Sequence, residues 1–125
     1  MNMPESTLQP PPAQAERVYE IAAELFSLMS NPMRLKIISA LCNGEKTVGE
    51  LLGEITTTQP NMSQHLSQLY RAGILARRRE GQQIYYRVQN QRAVALCRAV
   101  CTQIAIEIDD PEAMQPAERL ILPRA

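Results

Sequence analysis

Six polar side chains suited to hydrogen-bonding nucleobases fall within one short stretch: Gln59, Asn61, Ser63, Gln64, His65 and Gln68. Gln and Asn carry a donor and an acceptor side by side, the pattern that pairs with an adenine edge, while Ser and His can reach bases or phosphates. On a helix, Asn61, Gln64 and Gln68 fall roughly on one face. Soon after come Arg77, Arg78 and Arg79, then Glu80, Gly81 and Gln82. Arginines flanking a base-reading helix can grip phosphates or enter the minor groove. Standing alone, the same run would be a solvated charged face. The third set is Cys42, Cys97 and Cys101. Free thiols react with oxidants and sulfur species and bind soft ions, although a free Cys is also commonly a small buried hydrophobe.

Other chemistries lack their residues. There is no carboxylate pair, Ser/His arrangement or Gly-rich phosphate loop, and cysteine catalysis would want a partner base. The one histidine, His65, lies in the polar stretch. Zinc needs about four ligands, and no cluster of that kind is visible. The chain therefore reads as a non-enzyme without cofactor or metal, a thiophilic ion on the three cysteines being the exception left open. A protein-interaction module without DNA binding is the alternative of another class.

The elements that position these groups follow from the apolar periodicity. Val18, Ile21, Ala22, Leu25, Leu28 and Met29 predict a first helix from Ala15, ending at Ser30-Asn31-Pro32. Ser30 or Asn31 can cap a second helix carrying Leu35, Ile37, Ile38, Leu41 and Cys42, which Asn43-Gly44 ends. Thr47 and Glu50 form a capping box that opens a short third helix through Glu54. Thr58 caps a fourth helix with Pro60 in its first turn and Gly73 at its end, its inward face being Met62, Leu66 and Leu69. Two helices joined by a tight Thr-rich turn make a helix-turn-helix.

Ile84, Tyr86 and Val88 then alternate with Tyr85 and Arg87, which predicts a β-hairpin over 74–79 and 82–88 with its turn at Glu80-Gly81. A last helix to about Ile108 carries Val94, Cys97, Cys101, Ile104 and Ile108 at the spacing of a helix–helix seam. The fold class is mainly α with a β-hairpin wing: four helices, a hairpin and a fifth helix, a winged helix-turn-helix over 15–108. The Pro-rich stretch 1–14 reads as a flexible arm and 109–125 as an irregular tail. The apolar faces of the first and last helices exceed what one small domain can cover, which predicts a homodimer.

Net charge is zero, yet it is unevenly distributed. Residues 1–61 carry a net of −3, residues 62–98 a net of +6 and residues 99–125 a net of −3. Phosphate contact depends on that local field rather than on the total. The polar start carries no signal-peptide pattern, and no apolar run approaches the roughly 18 residues of a membrane span. An odd number of cysteines argues against a disulfide framework. These features predict a cytoplasmic protein with reduced thiols and no membrane partner.

The segments SNPMRLKII (30–38), TVGEL (47–51), QPNMSQHLSQL (59–69), AGIL (72–75) and RREGQQIYYRV (78–88) resemble the ArsR/SmtB family, over about residues 15–108. The resemblance implies a dimeric winged-helix repressor of double-stranded operator DNA that dissociates when a small inducer binds, with the first and last helices as dimer interface. The Cys-Val-Cys metal box of some members is replaced here by Thr47-Val48-Gly49, and the Asp and His pairs of zinc members are missing from the last helix. The BigR/SqrR-type branch, which senses reactive sulfur, pairs a cysteine on the second helix with one on the last. Those positions align with Ser39 and about Ala105, while Cys42 lies three residues later and Cys101 four residues earlier. On antiparallel helices the two shifts cancel, so the resemblance makes Cys42 and Cys101 the sensing pair and Cys97 a packing residue or spare thiol. Reactive sulfur or an oxidant is the expected inducer, with arsenite or another thiophilic ion on Cys42, Cys97 and Cys101 as the alternative.

Overall fold

The computed structural model describes residues 12–109, and the remaining parts of the expected arm (1–11) and tail (110–125) lie outside them. Its elements run α1 (Pro12–Met29), α2 (Pro32–Leu41), β1 (Lys46–Thr47), α3 (Val48–Glu54), α4 (Gln59–Arg71), β2 (Leu75–Glu80), β3 (Gln83–Val88) and α5 (Gln91–Asp109). This is the expected winged helix-turn-helix with three departures.

Among the described residues the first helix already includes Pro12, Ala13 and Gln14, ahead of the expected start at Ala15, and Ala13 and Gln14 are good helix formers. The hairpin loop is Gly81-Gln82 rather than Glu80-Gly81, since Glu80 pairs with Gln83. Gly81 takes φ +62° at the first loop position, the left-handed region that tight two-residue hairpin loops demand. A short strand, β1, also joins the wing. The sheet is antiparallel in the order β1-β3-β2, with Lys46 opposite Tyr86 and Thr47 opposite Tyr85.

Local chemistry explains the helix boundaries. The Asn31 side chain accepts from the amides of Met33 and Arg34 at 2.8 and 3.3 Å. Thr47 Oγ1 accepts from Glu50 N at 3.1 Å, and Glu50 Oε1 accepts from Thr47 N at 3.0 Å, completing the capping box. Thr58 Oγ1 accepts from Asn61 N at 3.3 Å, and Gly73 (φ +81°) follows the α4 cap.

The core sits where α2, α3, α4 and the base of the hairpin meet. Ile37, Ile38, Leu51, Met62, Leu66, Leu69, Ile74 and Leu75 are fully buried there, and Ala93 and Cys97 close it from α5. Only part of the two long helices is covered. Val94 and Cys97 on α5 are buried, but Ile104 and Ile108 of the same seam are exposed, as are Val18, Ile21 and Phe26 on α1.

Candidate nucleic-acid interface

The inward face of α4 fixes what its outward face can be. Burying Met62, Leu66 and Leu69 turns Ser63 and Gln64 fully outward, with half-buried Ser67 and exposed Arg71 on the same stripe. Gln59 is exposed at the start of the helix, where free amides can meet a phosphate. Asn61, His65 and Gln68 are half-buried and engaged within the protein. Asn61 Nδ2 donates to Thr57 Oγ1 at 2.9 Å and braces the turn that leads from α3. Arg34, in the first turn of α2, donates from Nε to His65 Nδ1 at 3.2 Å and from its guanidinium to Gln68 Oε1. The single face expected for Asn61, Gln64 and Gln68 therefore divides, and Gln64 alone of the three is exposed. Ser67, Arg71 and Arg34 do not stand out in the sequence. The first two follow from the period of the buried Met62, Leu66 and Leu69, whereas nothing local marks Arg34.

The three wing arginines differ in their surroundings. The register pairs Arg77 with Tyr86, Arg78 with Tyr85 and Arg79 with Ile84, so Arg78 faces opposite to its neighbours. On that side its Nε lies 2.9 Å from both carboxylate oxygens of Glu45, its Nη1 is 2.7 Å from Glu80, and the guanidinium stacks 4.5 Å over the Tyr85 ring. Hydrogen bonding to Arg78 holds the Glu45 carboxyl below its ordinary value. Arg77 stacks 4.0 Å over Tyr70 of α4, which ties the wing to the reading helix. Among the described residues Arg79 donates only to the Gly81 carbonyl, at 3.2 Å, and Gln82 is exposed at the tip.

The charge of Arg78 is thus offset by two carboxylates, whereas among the described residues Arg77 and Arg79 have no carboxylate partner. Arg79→Ala should lower the slope of log affinity against log salt by about 0.9, the share of one neutralised phosphate. Arg78→Ala should change that slope by less than half as much, and Glu45→Gln should raise affinity for unrelated duplex DNA. Equal slopes for the two arginine variants would remove the distinction.

Two of the three thiols, Cys97 and Cys101, meet on α5, while Cys42 is the cap residue that follows α2. Cys101 is exposed, Cys97 is buried and Cys42 is half-buried. The sulfur in contact with Cys101 is that of Cys97, at 3.8 Å, and Cys97 Sγ also lies 3.9 Å from the Leu35 carbonyl. Burial first, then the hydrogen bond to Cys101, pushes the Cys97 thiol up to about 11; the charges of Cys101 and Cys42 act in the same direction. Cys97 therefore stays protonated at neutral pH. A cavity of about 290 Å³ opens beside the pair, walled by Phe26, Leu35, Leu96 and Val100. Among the described residues no group of three His, Cys, Asp or Glu side chains could hold a metal ion. The three-thiol ion site left open by the sequence is therefore not assembled.

Comparison with known proteins bears on this geometry. Residues 31–77, from the α2 cap to the first wing arginine, match the model described as bacterial regulatory protein, arsR family. A biofilm growth-associated repressor of Agrobacterium fabrum is 40% identical over 91 residues, spanning 73% of this chain and 77% of the relative. The chain belongs to the ArsR family. The nodulation protein NolR of Rhizobium meliloti is 35% identical over 111 residues, 89% of this chain and 88% of that one. The crystal structure of the transcriptional repressor BigR from Xylella fastidiosa superposes with a TM-score of 0.68 at 36% identity, covering 74% of this chain and 94% of that chain. As an ArsR-family member with a winged helix-turn-helix, the protein is a DNA-binding transcriptional regulator and not an enzyme. No helix among the described residues is long and apolar enough to cross a membrane.

Proposed function

We propose that this ArsR-family protein is a cytoplasmic repressor that binds a pseudo-palindromic operator as a homodimer and is released by thiol modification. The observation that carries the reading is the exposed Gln59, Ser63 and Gln64 stripe of α4 beside a wing whose Arg77 and Arg79 pair with no carboxylate among the described residues. In the dimer the two copies of α4 enter major grooves about one turn of DNA apart. The uncovered apolar residues of α1 and α5 support dimerisation, Phe26 being 56% exposed and Val100 47% in the single chain. Burying such faces between two copies follows from the hydrophobic effect. The inducer is a reactive sulfur species or oxidant acting at Cys101, exposed in the single chain, with Cys42, the residue that caps α2, as its partner and Cys97 as a packing thiol.

Duplexes selected by the protein from a random pool test the DNA half of the proposal. Gln64→Ala should lose about 1–3 kcal/mol on a selected duplex with little change on unrelated DNA. Light scattering should give about twice the chain mass of 14.0 kDa. A monomer at micromolar concentration, or a Gln64→Ala variant that binds the selected duplex like the wild type, would contradict the reading.

A further inference from the structure

Arg34 donates into three places: the Leu28 carbonyl at the end of α1 at 3.0 Å, His65 Nδ1 at 3.2 Å, and Gln68 Oε1. A guanidinium is always charged and has donors only. Every atom facing it must therefore offer a lone pair. We propose that Arg34 is the positioning residue that decides what this part of the reading helix displays to DNA. It holds His65 as the neutral tautomer with its proton on Nε2, and it turns the Gln68 amide nitrogen away from itself.

The consequence is chemical. With Nδ1 occupied, His65 can present only its Nε2–H to DNA, while Gln68 keeps its amide N–H groups and the second lone pair of an oxygen whose orientation Arg34 fixes. The complement of the His65 N–H is an acceptor: guanine N7 and O6, thymine O4 or phosphate oxygen. A bidentate pair with adenine needs both the oxygen and the nitrogen of a glutamine amide, so Gln68 can make one only in the orientation in which Arg34 holds its oxygen. Gln64, outward and exposed, can turn either way. The inference rests on α4 being the reading helix and deepens it, because it separates a glutamine free to turn its amide from one whose amide Arg34 orients.

The arrangement is sensitive to acid. A proton on Nδ1 would point an N–H at Arg34 and place two cations in contact. Burial and the charge of Arg34 both hold His65 below its ordinary value of 6.5. Among the described residues Arg34, on α2, is the charged group that bears on this titration. For a depressed histidine the folded arrangement is fully stabilised above 6.5 and loses that contribution as pH falls through the lower folded value.

His65 is the chain's one histidine, so its ring signals are unambiguous in the full-length protein. Long-range proton–nitrogen NMR at pH 7.5 should show the proton on Nε2, and titration should place its midpoint below 6.5. A proton on Nδ1, or a midpoint above 6.5, overturns the proposal whatever the DNA results. On a duplex selected by the wild type from a random pool, Arg34→Gln should lose about tenfold or more, and Arg34→Lys less. Affinity of either variant for unrelated duplex should change under about threefold. Equal losses on both DNAs would make Arg34 a general phosphate contact or fold support, which overturns the display role. If the wild type selects no sequence, the reading-helix assignment fails and the display role with it, while the tautomer remains separately readable.

Discussion

Replacing Leu66 with Ala should lower the unfolding free energy by about 2–5 kcal/mol, the range for truncating a fully buried leucine. Leu66 is 0% exposed and sits between Met62 and Leu69 on the inner face of α4. Ile37, Ile38, Leu51 and Leu75 belong to the same core cluster. The site can collapse only by shifting α4, the element whose outward side chains must keep their position. A domain of this size is stable by about 5–15 kcal/mol in total, so operator affinity should fall along with stability near physiological temperature. Ser63→Ala, on the same helix but exposed, should change stability by under about 0.5 kcal/mol. Urea unfolding with an unchanged slope separates the two variants. If they behave alike, the inner and outer faces of α4 are wrongly assigned.

Local signals are the legible ones. The Asn31 cap, the Thr47/Glu50 capping box and the Thr58 cap each depend on side chains within three residues of the amides they satisfy. The period of Met62, Leu66 and Leu69 locates the reading helix for the same reason. The strand Lys46–Thr47 has no period to detect, and exists only through its pairing with Tyr85 and Tyr86. Helix α1 reaches further back than the Pro-rich run suggests, since Pro12, Ala13 and Gln14 are already helical among the described residues.

At the candidate site, residue type and order point to a helix-turn-helix with a wing but cannot say which side chains are free. Asn61, His65 and Gln68 look alike in sequence to Gln59 and Gln64, and differ by what Thr57 and Arg34 do to them. Likewise Arg78 and Arg79 are adjacent and identical, and the pleat alone delivers one of them to Glu45. Such distinctions arise from how the chain folds around each side chain, and for His65, Gln68 and Arg78 the partner is distant in sequence.

Cys101→Ser should abolish release from DNA by polysulfide, and Cys42→Ser should do the same, while Cys97→Ser should be released like the wild type. Cys101 is exposed and can attack a sulfane sulfur, taking one sulfur as a persulfide and expelling a shorter polysulfide anion. In the proposed switch a second polysulfide converts Cys42 to a persulfide in the same way, expelling a shorter polysulfide anion. That persulfide attacks the Cys101 sulfur and expels hydrosulfide, which leaves a trisulfide between the α2 cap and α5. Cys97 is nearer, at 3.8 Å from Cys101, and proximity alone would favour it. Two features oppose that choice. Its thiol is pushed up to about 11, so little thiolate is present at neutral pH to react. A bridge from Cys97 to Cys101 would also close within α5 and leave its tilt against α2 unconstrained. A link between α2 and α5 instead ties the proposed dimer helix to the helix whose Arg34 holds α4, and can therefore alter the spacing of the two reading helices. Peptide mapping after polysulfide treatment, paired with gel shifts of the three single variants, decides between the bridges. Release that persists in Cys42→Ser and is abolished in Cys97→Ser would move the switch onto α5 alone.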